Sequence, residues 1–266
     1  MLEVIWQYPF LQRALIAALI VGLVCSVMGV FVVFNRMAFF ADAVAHSALA
    51  GIAIGLLAGV STFWSAMVFG IAVALVSIYL KSKARLNIDT VLGLFLPFSM
   101  ALGILLLGFR GNYTPDLVSY LFGSILSVSW LDIVVMIVLT IVAFFWLRLN
   151  YKKMLAIVFD RDLAYASGIK VEYTEYVFVI LMSMIVVASI QVVGIVLVGG
   201  LIVIPAATAR NVVKSFGQMI WMSGIFGILS GLLGLILAYY LDIASGSAII
   251  MIAMGLFIIS FIFRSK

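Results

Sequence analysis

The amino-acid sequence predicts an all-α, polytopic membrane protein, and three observations lead to this fold class. Of the 266 residues, 67% are apolar and only 9% are charged, whereas a soluble domain carries about 25% charged residues. Apolar runs recur along the whole chain, and each approaches the ~20 residues with which a helix spans a bilayer. The runs are continuous and lack the alternating pattern of outer-membrane strands, so helices are expected rather than a barrel.

We predict a single transmembrane domain over residues 1–266 with nine spans, or eight if one run does not cross. In chain order the runs are Leu11–Phe34, Met37–Leu57, Thr62–Leu80, Val91–Phe109, a long run between Leu117 and Leu147, Tyr173–Ile190, Val192–Ala209, Gly217–Leu241 and Ala248–Phe263. The fifth run is too long for one straight span. Its first part, "SYLFGSILSVSW", is therefore expected to form a bend or half-helix before a span that begins near Leu131.

The basic residues favour an N-terminus outside the cell and a C-terminus in the cytoplasm. In that orientation only Arg13 and Arg110 of the 15 Lys and Arg residues lie outside, and the remaining 13 face inward, as the positive-inside rule requires. Two inward segments are unusually polar for this chain. One is a predicted cytoplasmic loop at about 148–172, and the other is "IPAATARNVVKSFG". Each is either an ordinary surface loop or a partner contact.

The segment Phe39–Gly51, "FFADAVAHSALAG", places an acid and the chain's single histidine inside an apolar run. Asp42 and His46 are four residues apart, so a helix brings them to one face. Their neighbours are small, which leaves room for a ligand or for a neighbouring helix. An aspartate at mid-span costs roughly 2.5 kcal/mol or more, and such residues usually mark an ion or proton path.

Three interpretations of this pair remain open from the residues alone. The two side chains could satisfy each other near the inner interface and serve only helix packing, or they could relay protons in a secondary transporter. They could also bind a transition metal, since carboxylate and neutral imidazole are common ligands of Mn²⁺, Fe²⁺ and Zn²⁺. Two ligands do not complete a site, so the metal interpretation requires a homodimer with this helix near the two-fold axis.

Several motifs resemble the permease subunits of ABC-type manganese, zinc and iron importers. The likeness begins at "YPFLQRALIAALIVGLVCSVMGVFVVFNRMAFFADAVAHSALAGIAIG" and continues at "LVSYLFGSILSVSW", "FDRDLAYASGIKV" and "VGIVLVGGLIVIPAATAR". Ala50 stands where many members of that family carry a proline before the glycine. The chain is also similar, more distantly, to the larger vitamin B12 and siderophore permeases.

The resemblance implies a multi-pass protein of the bacterial cell membrane that works as a homodimer in contact with lipid. Its partners would be two ATP-binding cassette ATPase subunits and an extracellular or periplasmic metal-binding protein. Asp42 and His46 would contact the metal, and a coupling helix at about 205–216 would dock on the ATPase, supported by the segment around Asp160–Gly168. The predicted docking residues are Pro205, Ala206, Ala207, Thr208, Ala209, Arg210, Asn211, Val212, Val213 and Lys214.

The chain is not expected to be an enzyme or to bind a cofactor of its own. It contains no G-x-x-x-x-G-K-[ST] phosphate-binding loop, so ATP is expected on the partner subunit, and the divalent metal is cargo. A nucleic-acid partner is not expected, because the basic residues lie in short loops between helices. The alternatives are a proton- or ion-coupled secondary transporter and an ABC importer of a metal chelate. The residues do not choose between manganese, zinc and iron.

Overall fold

The computed structural model describes residues 8–84, 86–109 and 128–263, and this part of the chain is almost entirely helical. Its ten α-helices are α1 Pro9–Phe34, α2 Phe40–Ala58, α3 Thr62–Ala84, α4 Ile88–Gly108, α5 Trp130–Phe159, α6 Arg161–Ala166, α7 Val171–Val193, α8 Ile195–Val212, α9 Phe216–Leu241 and α10 Ser245–Ile262. Eight of these, all except α6 and α8, are long and apolar enough to cross a membrane. The predicted all-α, multi-span fold class is confirmed.

The order of the predicted spans agrees with the order of the long helices. The span expected to begin near Leu131 is α5, which begins at Trp130. The seventh predicted span corresponds to α8, whose apolar part, Val198–Val212, is shorter than the other spans. The predicted bend or half-helix in "SYLFGSILSVSW" lies almost wholly outside the described residues, as do the basic residues Arg85, Arg110, Arg264 and Lys266.

The segment predicted as a cytoplasmic loop at about 148–172 is mainly helical and contains the end of α5, all of α6 and the start of α7. Helix α5 continues to Phe159 because no glycine or proline interrupts its last turns. The Asp160 carboxylate then caps α6 by accepting a hydrogen bond from the Leu163 backbone N–H at 2.9 Å. Gly168 follows α6 with a φ of 77°, a left-handed conformation that ends helices and favours glycine.

The segment predicted as a coupling helix at about 205–216 comprises the end of α8 and the connection to α9. Residues 205–212 form the last turns of α8, and α9 begins at Phe216 after a short connection. Pro205 removes one backbone hydrogen bond but does not end the helix. The Thr208 hydroxyl donates to the Ile204 carbonyl at 2.8 Å within the same turns. Which of these residues a partner could contact depends on their burial.

One compact unit comprises residues 1–33, 114–137 and 188–266. Its described helices approach closely through small residues, since lipid gives helices no hydrophobic reason to associate. Gly22 of α1 and Gly227 of α9 lie in backbone contact, and a Cβ on either would overlap the other. The Ser223 hydroxyl of α9 also donates to the Ser26 carbonyl of α1 at 2.7 Å.

The second compact unit comprises residues 34–113 and 138–187 and contains α2. Helix α2 packs along both α3 and α4. On the α3 side, the Ser65 hydroxyl donates to the Gly51 carbonyl at 2.6 Å. On the α4 side, Gly103 lies against Ala50, whose backbone nitrogen would be 3.1 Å from a Cβ added to the glycine. The predicted site residues therefore lie on a central helix of this unit.

Candidate functional site

Helix α2 carries both residues of the predicted pair. Asp42 lies in its first turn, where a carboxylate is stabilised by the positive end of the helix dipole. His46 follows one turn later on the same face. The carboxylate and the imidazole interact electrostatically. The structure therefore brings the two groups together within one chain.

Burial distinguishes these two residues from their surroundings. Between Phe40 and Ala53, every residue of α2 is buried except Asp42 and His46, which are both half-buried. The small residues beside them pack against neighbouring helices. The two polar side chains thus form a narrow open stripe on an otherwise enclosed part of the helix, and a ligand or a second chain can reach them there.

The beginning of α2 is held by a tight turn and by α4. Arg36 adopts a φ of 54° in the turn that follows α1. The Phe39 backbone N–H donates to Asp89 Oδ1 at 3.4 Å, and Asp89 lies in the first turn of α4. The two helices therefore begin side by side. Asp89 was not predicted as a site residue, and its place directly before an apolar run is the only signal for it in the sequence.

The imidazole of His46 has a buried side and an open side. Its Nδ1 is buried and has no hydrogen-bond partner within the described residues, so the open side of the half-buried ring is the one that carries Nε2. Those residues also contain no group of three or more His, Cys, Asp and Glu side chains that could hold a metal ion. The described part of one chain therefore supplies two donors here, a carboxylate and an imidazole nitrogen.

Burial divides the ten predicted docking residues into three groups, one of which, Ala207, Asn211 and Val213, is half-buried. Four of them are enclosed within the protein, namely Pro205, Ala206, Thr208 and Ala209. A partner cannot touch these four while α8 keeps its structure. Three are exposed at the end of α8 and beyond it, namely Arg210, Val212 and Lys214. An open groove of about 750 Å³ lies beside Val212 and Lys214 and is also lined by Trp221.

A second exposed surface surrounds α6. It consists of Phe159, Leu163, Tyr165 and Tyr173, each more than 60% exposed, and we call it the α6 surface. Beneath it, α6 is anchored by a small buried cluster of Ile157, Ala164 and Val171. The α6 surface is therefore an apolar and aromatic patch on a short, well-anchored helix.

An ion-pair network joins α6 to two other helices. The two carboxylate oxygens of Glu175, in α7, bind different cations. Oε1 lies 3.3 Å from Lys81 Nζ at the end of α3, and Oε2 lies 2.9 Å from Arg161 Nη2 at the beginning of α6. The Glu175 side chain is only 13% exposed. This network was not predicted from the sequence, because Lys81 and Glu175 are 94 positions apart.

Comparisons with known proteins agree along nearly the whole chain. The model of the ABC 3 transport family matches residues 7–264. The manganese transport system membrane protein MntC of Listeria monocytogenes is 37% identical over 265 residues, which are 100% of this chain and 94% of that protein. The high-affinity zinc uptake system membrane protein ZnuB of Haemophilus influenzae is 31% identical, over 98% of this chain and 100% of that protein. The solved structure of PsaBC from Streptococcus pneumoniae in complex with Fab matches with a TM-score of 0.87 and 33% identity, over 98% of this chain and 94% of that one.

Proposed function

This chain belongs to the ABC 3 transport family, and on that premise we propose that it is the membrane-spanning permease subunit of an ATP-driven importer of divalent transition-metal ions. The observation that carries the proposal is the open stripe of Asp42 and His46 on a helix that is otherwise buried there. Relatives named for manganese and for zinc transport support this class of cargo.

The donor chemistry of the stripe fits a divalent transition metal in transit. An ion that crosses the membrane must exchange its water shell for protein ligands, and it must bind weakly enough to leave. Carboxylates supply negative charge, while imidazoles favour transition metals over Ca²⁺ and Mg²⁺. Two copies of the stripe would provide two carboxylates and two imidazoles, with a charge of −2 against the +2 of the ion. We therefore propose a homodimer whose two α2 helices flank the path.

The proposed importer requires further subunits besides this chain. Because the chain has no phosphate-binding loop, ATP hydrolysis belongs to separate ATPase subunits, and we propose two copies, one for each permease. A metal-binding protein would deliver the ion to the outer side of the plasma membrane. The distribution of basic residues supports an N-terminus outside and a C-terminus in the cytoplasm.

For the ATPase contact we propose the exposed end of α8, from Arg210 to Lys214, together with the α6 surface. The buried turns of α8 before Arg210 are inaccessible to a partner. We propose that α8 also crosses the membrane, as a short ninth span, so that the α6 surface and the end of α8 each follow an inward-running helix and lie on the cytoplasmic side. Leu163 and Tyr165, each 64% exposed on α6, offer the apolar contact area that a stable interface buries.

The test is metal uptake by the permease reconstituted with its ATPase and metal-binding protein in vesicles. The Asp42→Ala and His46→Ala variants should each lower ATP-dependent Mn²⁺ or Zn²⁺ uptake by about tenfold or more, since alanine offers no donor atom. The Asp42→Asn variant, which keeps the shape and loses the charge, should behave in the same way. Ile54→Ala, at an exposed position of the same helix, is the matched control and should transport normally.

Other outcomes would contradict the proposal in distinguishable ways. Near-normal uptake by well-folded Asp42→Ala and His46→Ala complexes would contradict the proposed metal site. Loss of folded protein in these variants would instead support a packing role for the pair. Uptake that continues without ATP, follows the proton gradient and survives Asp42→Glu would identify a proton-coupled secondary transporter.

A further inference from the structure

Two buried polar atoms on neighbouring helices of the same unit have no hydrogen-bond partner. One is Nδ1 of His46 on α2, and the other is the hydroxyl oxygen of Ser99 on α4; neither has a partner within the described residues. A buried polar atom without a hydrogen bond is unfavourable, because it has lost its bonds to water and gained none in the protein. Such atoms are uncommon in native proteins and call for an explanation.

The packing of α2 on α4 turns these two residues toward each other. The helices begin side by side and run in the same direction, and they approach closely where Gly103 meets Ala50. His46 lies one turn before Ala50, and Ser99 lies one turn before Gly103. Residues four apart lie on the same face of a helix. His46 and Ser99 therefore lie on facing sides of the two helices, one turn away from their close contact.

Ser99 also differs from the other buried serines of the described chain. Those serines have a partner, which is usually a carbonyl of the preceding turn, as for Ser77 with the Val73 carbonyl and Ser183 with the Val179 carbonyl, both at 2.7 Å. Ser99 is completely buried, with 0% of its surface exposed, but it makes no such bond. Its hydroxyl thus remains available to a group on a neighbouring helix.

We propose that Ser99 is a positioning residue for His46, with its hydroxyl oxygen accepting a hydrogen bond from one bridging water that accepts from Nδ1–H. This bond would fix the imidazole tautomer and leave the Nε2 lone pair on the open side of the ring, where the cargo metal binds. Metal-binding histidines commonly have such a partner, and its removal typically costs 10–100-fold in affinity. The inference rests on the proposed function and adds a contribution from α4 to the metal path.

The facing geometry can be tested by cross-linking, without any transport assay. In a Cys25→Ser background, which removes the chain's single cysteine, the pair His46→Cys and Ser99→Cys should form a disulfide within one chain when oxidised. A disulfide requires Cα atoms within about 7 Å. The control pair is Val44→Cys with Ser99→Cys, because Val44 lies toward Gly70 of α3. Cross-linking of the control pair alone would overturn the proposed geometry.

The positioning role can be tested by Co²⁺ binding, followed by absorption, to the permease–ATPase complex without the metal-binding protein. Ser99→Ala should weaken Co²⁺ binding by about 10- to 100-fold, while Ser77→Ala, which removes a buried hydroxyl bonded within its own helix, should leave it unchanged. In a His46→Ala background, Ser99→Ala should cause no further loss, because it acts through that histidine.

Failure of this inference can be distinguished from failure of the proposed function. If the unmodified complex binds no Co²⁺, or if His46→Ala binds it normally, the metal site and this inference are both wrong. If His46→Ala weakens binding but Ser99→Ala binds like the unmodified complex, only the role of Ser99 is wrong. An equal loss in Ser99→Ala and Ser77→Ala would point to a general packing effect and would also overturn it.

Discussion

At the scale of single residues, α2 is enclosed so tightly that one added carbon atom matters. A Cβ on Gly51 would lie 2.6 Å from Cα of Ala66 and 2.8 Å from the backbone oxygen of Ser65, both in α3. Because the obstacle is backbone, it can yield only if α2 and α3 separate. The two helices touch through main-chain atoms, and this close approach holds the open stripe in place.

We expect Gly51→Ala to destabilise the protein by about 1–3 kcal/mol, as overpacking of a core usually does. The matched control is Gly93→Ala in α4, where an added Cβ meets nothing within 4 Å and alanine favours the helix. Thermal unfolding in detergent compares the two variants. A Gly51→Ala variant that unfolds at the wild-type temperature would show that the helices can separate at no cost.

At the scale of elements, α6 depends on one glutamate as well as on its small buried cluster. Glu175 connects α6 to the end of α3 through the Arg161 and Lys81 ion pairs. The Glu175 carboxylate is shared by both cations, and its low exposure limits the screening of these pairs by solvent, although the Arg161 side chain is 43% exposed. Any force on α6 from a bound ATPase would thus reach α3, which packs along α2. This is a physical route from the proposed docking surface to the proposed metal site.

We expect Glu175→Gln to lower the free energy of local unfolding of α6 by about 1–2 kcal/mol, because it removes the charge that both cations share. Hydrogen exchange of the amides near 160–170 should accelerate, while the membrane-spanning part of α7 should keep its protection. Glu172→Gln, which alters an exposed acid in the same turn of α7, is the control. Equal exchange rates in both variants would mean that the buried cluster alone anchors α6.

The two exposed segments proposed for ATPase contact can be compared directly. Leu163→Glu on the α6 surface and Val212→Glu at the end of α8 each place a charge at an exposed apolar position. We expect each to reduce ATPase binding and the uptake obtained per ATP hydrolysed by about tenfold. Leu163→Met, which preserves the apolar surface, should remain coupled. If either charged variant keeps normal ATPase binding and normal uptake per ATP hydrolysed, that segment is not part of the interface.

At the scale of the whole molecule, the proposed homodimer can be tested by cross-linking at the residues that would line its axis. In a Cys25→Ser background, we expect the Asp42→Cys variant to form a covalent dimer with a short thiol cross-linker. The two ligand sets must lie within a few ångströms of one ion. The control is Val68→Cys, because Val68 is exposed on α3, a helix long enough to span the membrane. Cross-linking through Val68→Cys and not through Asp42→Cys would place the metal path away from the dimer axis.

The helical membrane fold, the order of the long helices and the shared face of Asp42 and His46 could all be predicted from the amino-acid sequence. These features depend on local composition and on the 3.6-residue period, which a single chain displays directly. The family also follows from motifs within the chain. The helix bounds within 148–172 and 205–216 did not follow from the sequence, because polar stretches next to spans are compatible with either a loop or the continuation of a helix.

Which side of each helix is enclosed became clear only from the packing of the helices. There, α2 leaves Asp42 and His46 open while burying their neighbours, and Gly103 of α4, one turn after Ser99, contacts α2 at Ala50. The packing likewise pairs Glu175 with Lys81, far away along the chain. The physical reason is that helix periodicity is local, whereas burial and pairing depend on which helices pack together. That choice depends on close contacts between distant segments, which no local pattern in the chain encodes.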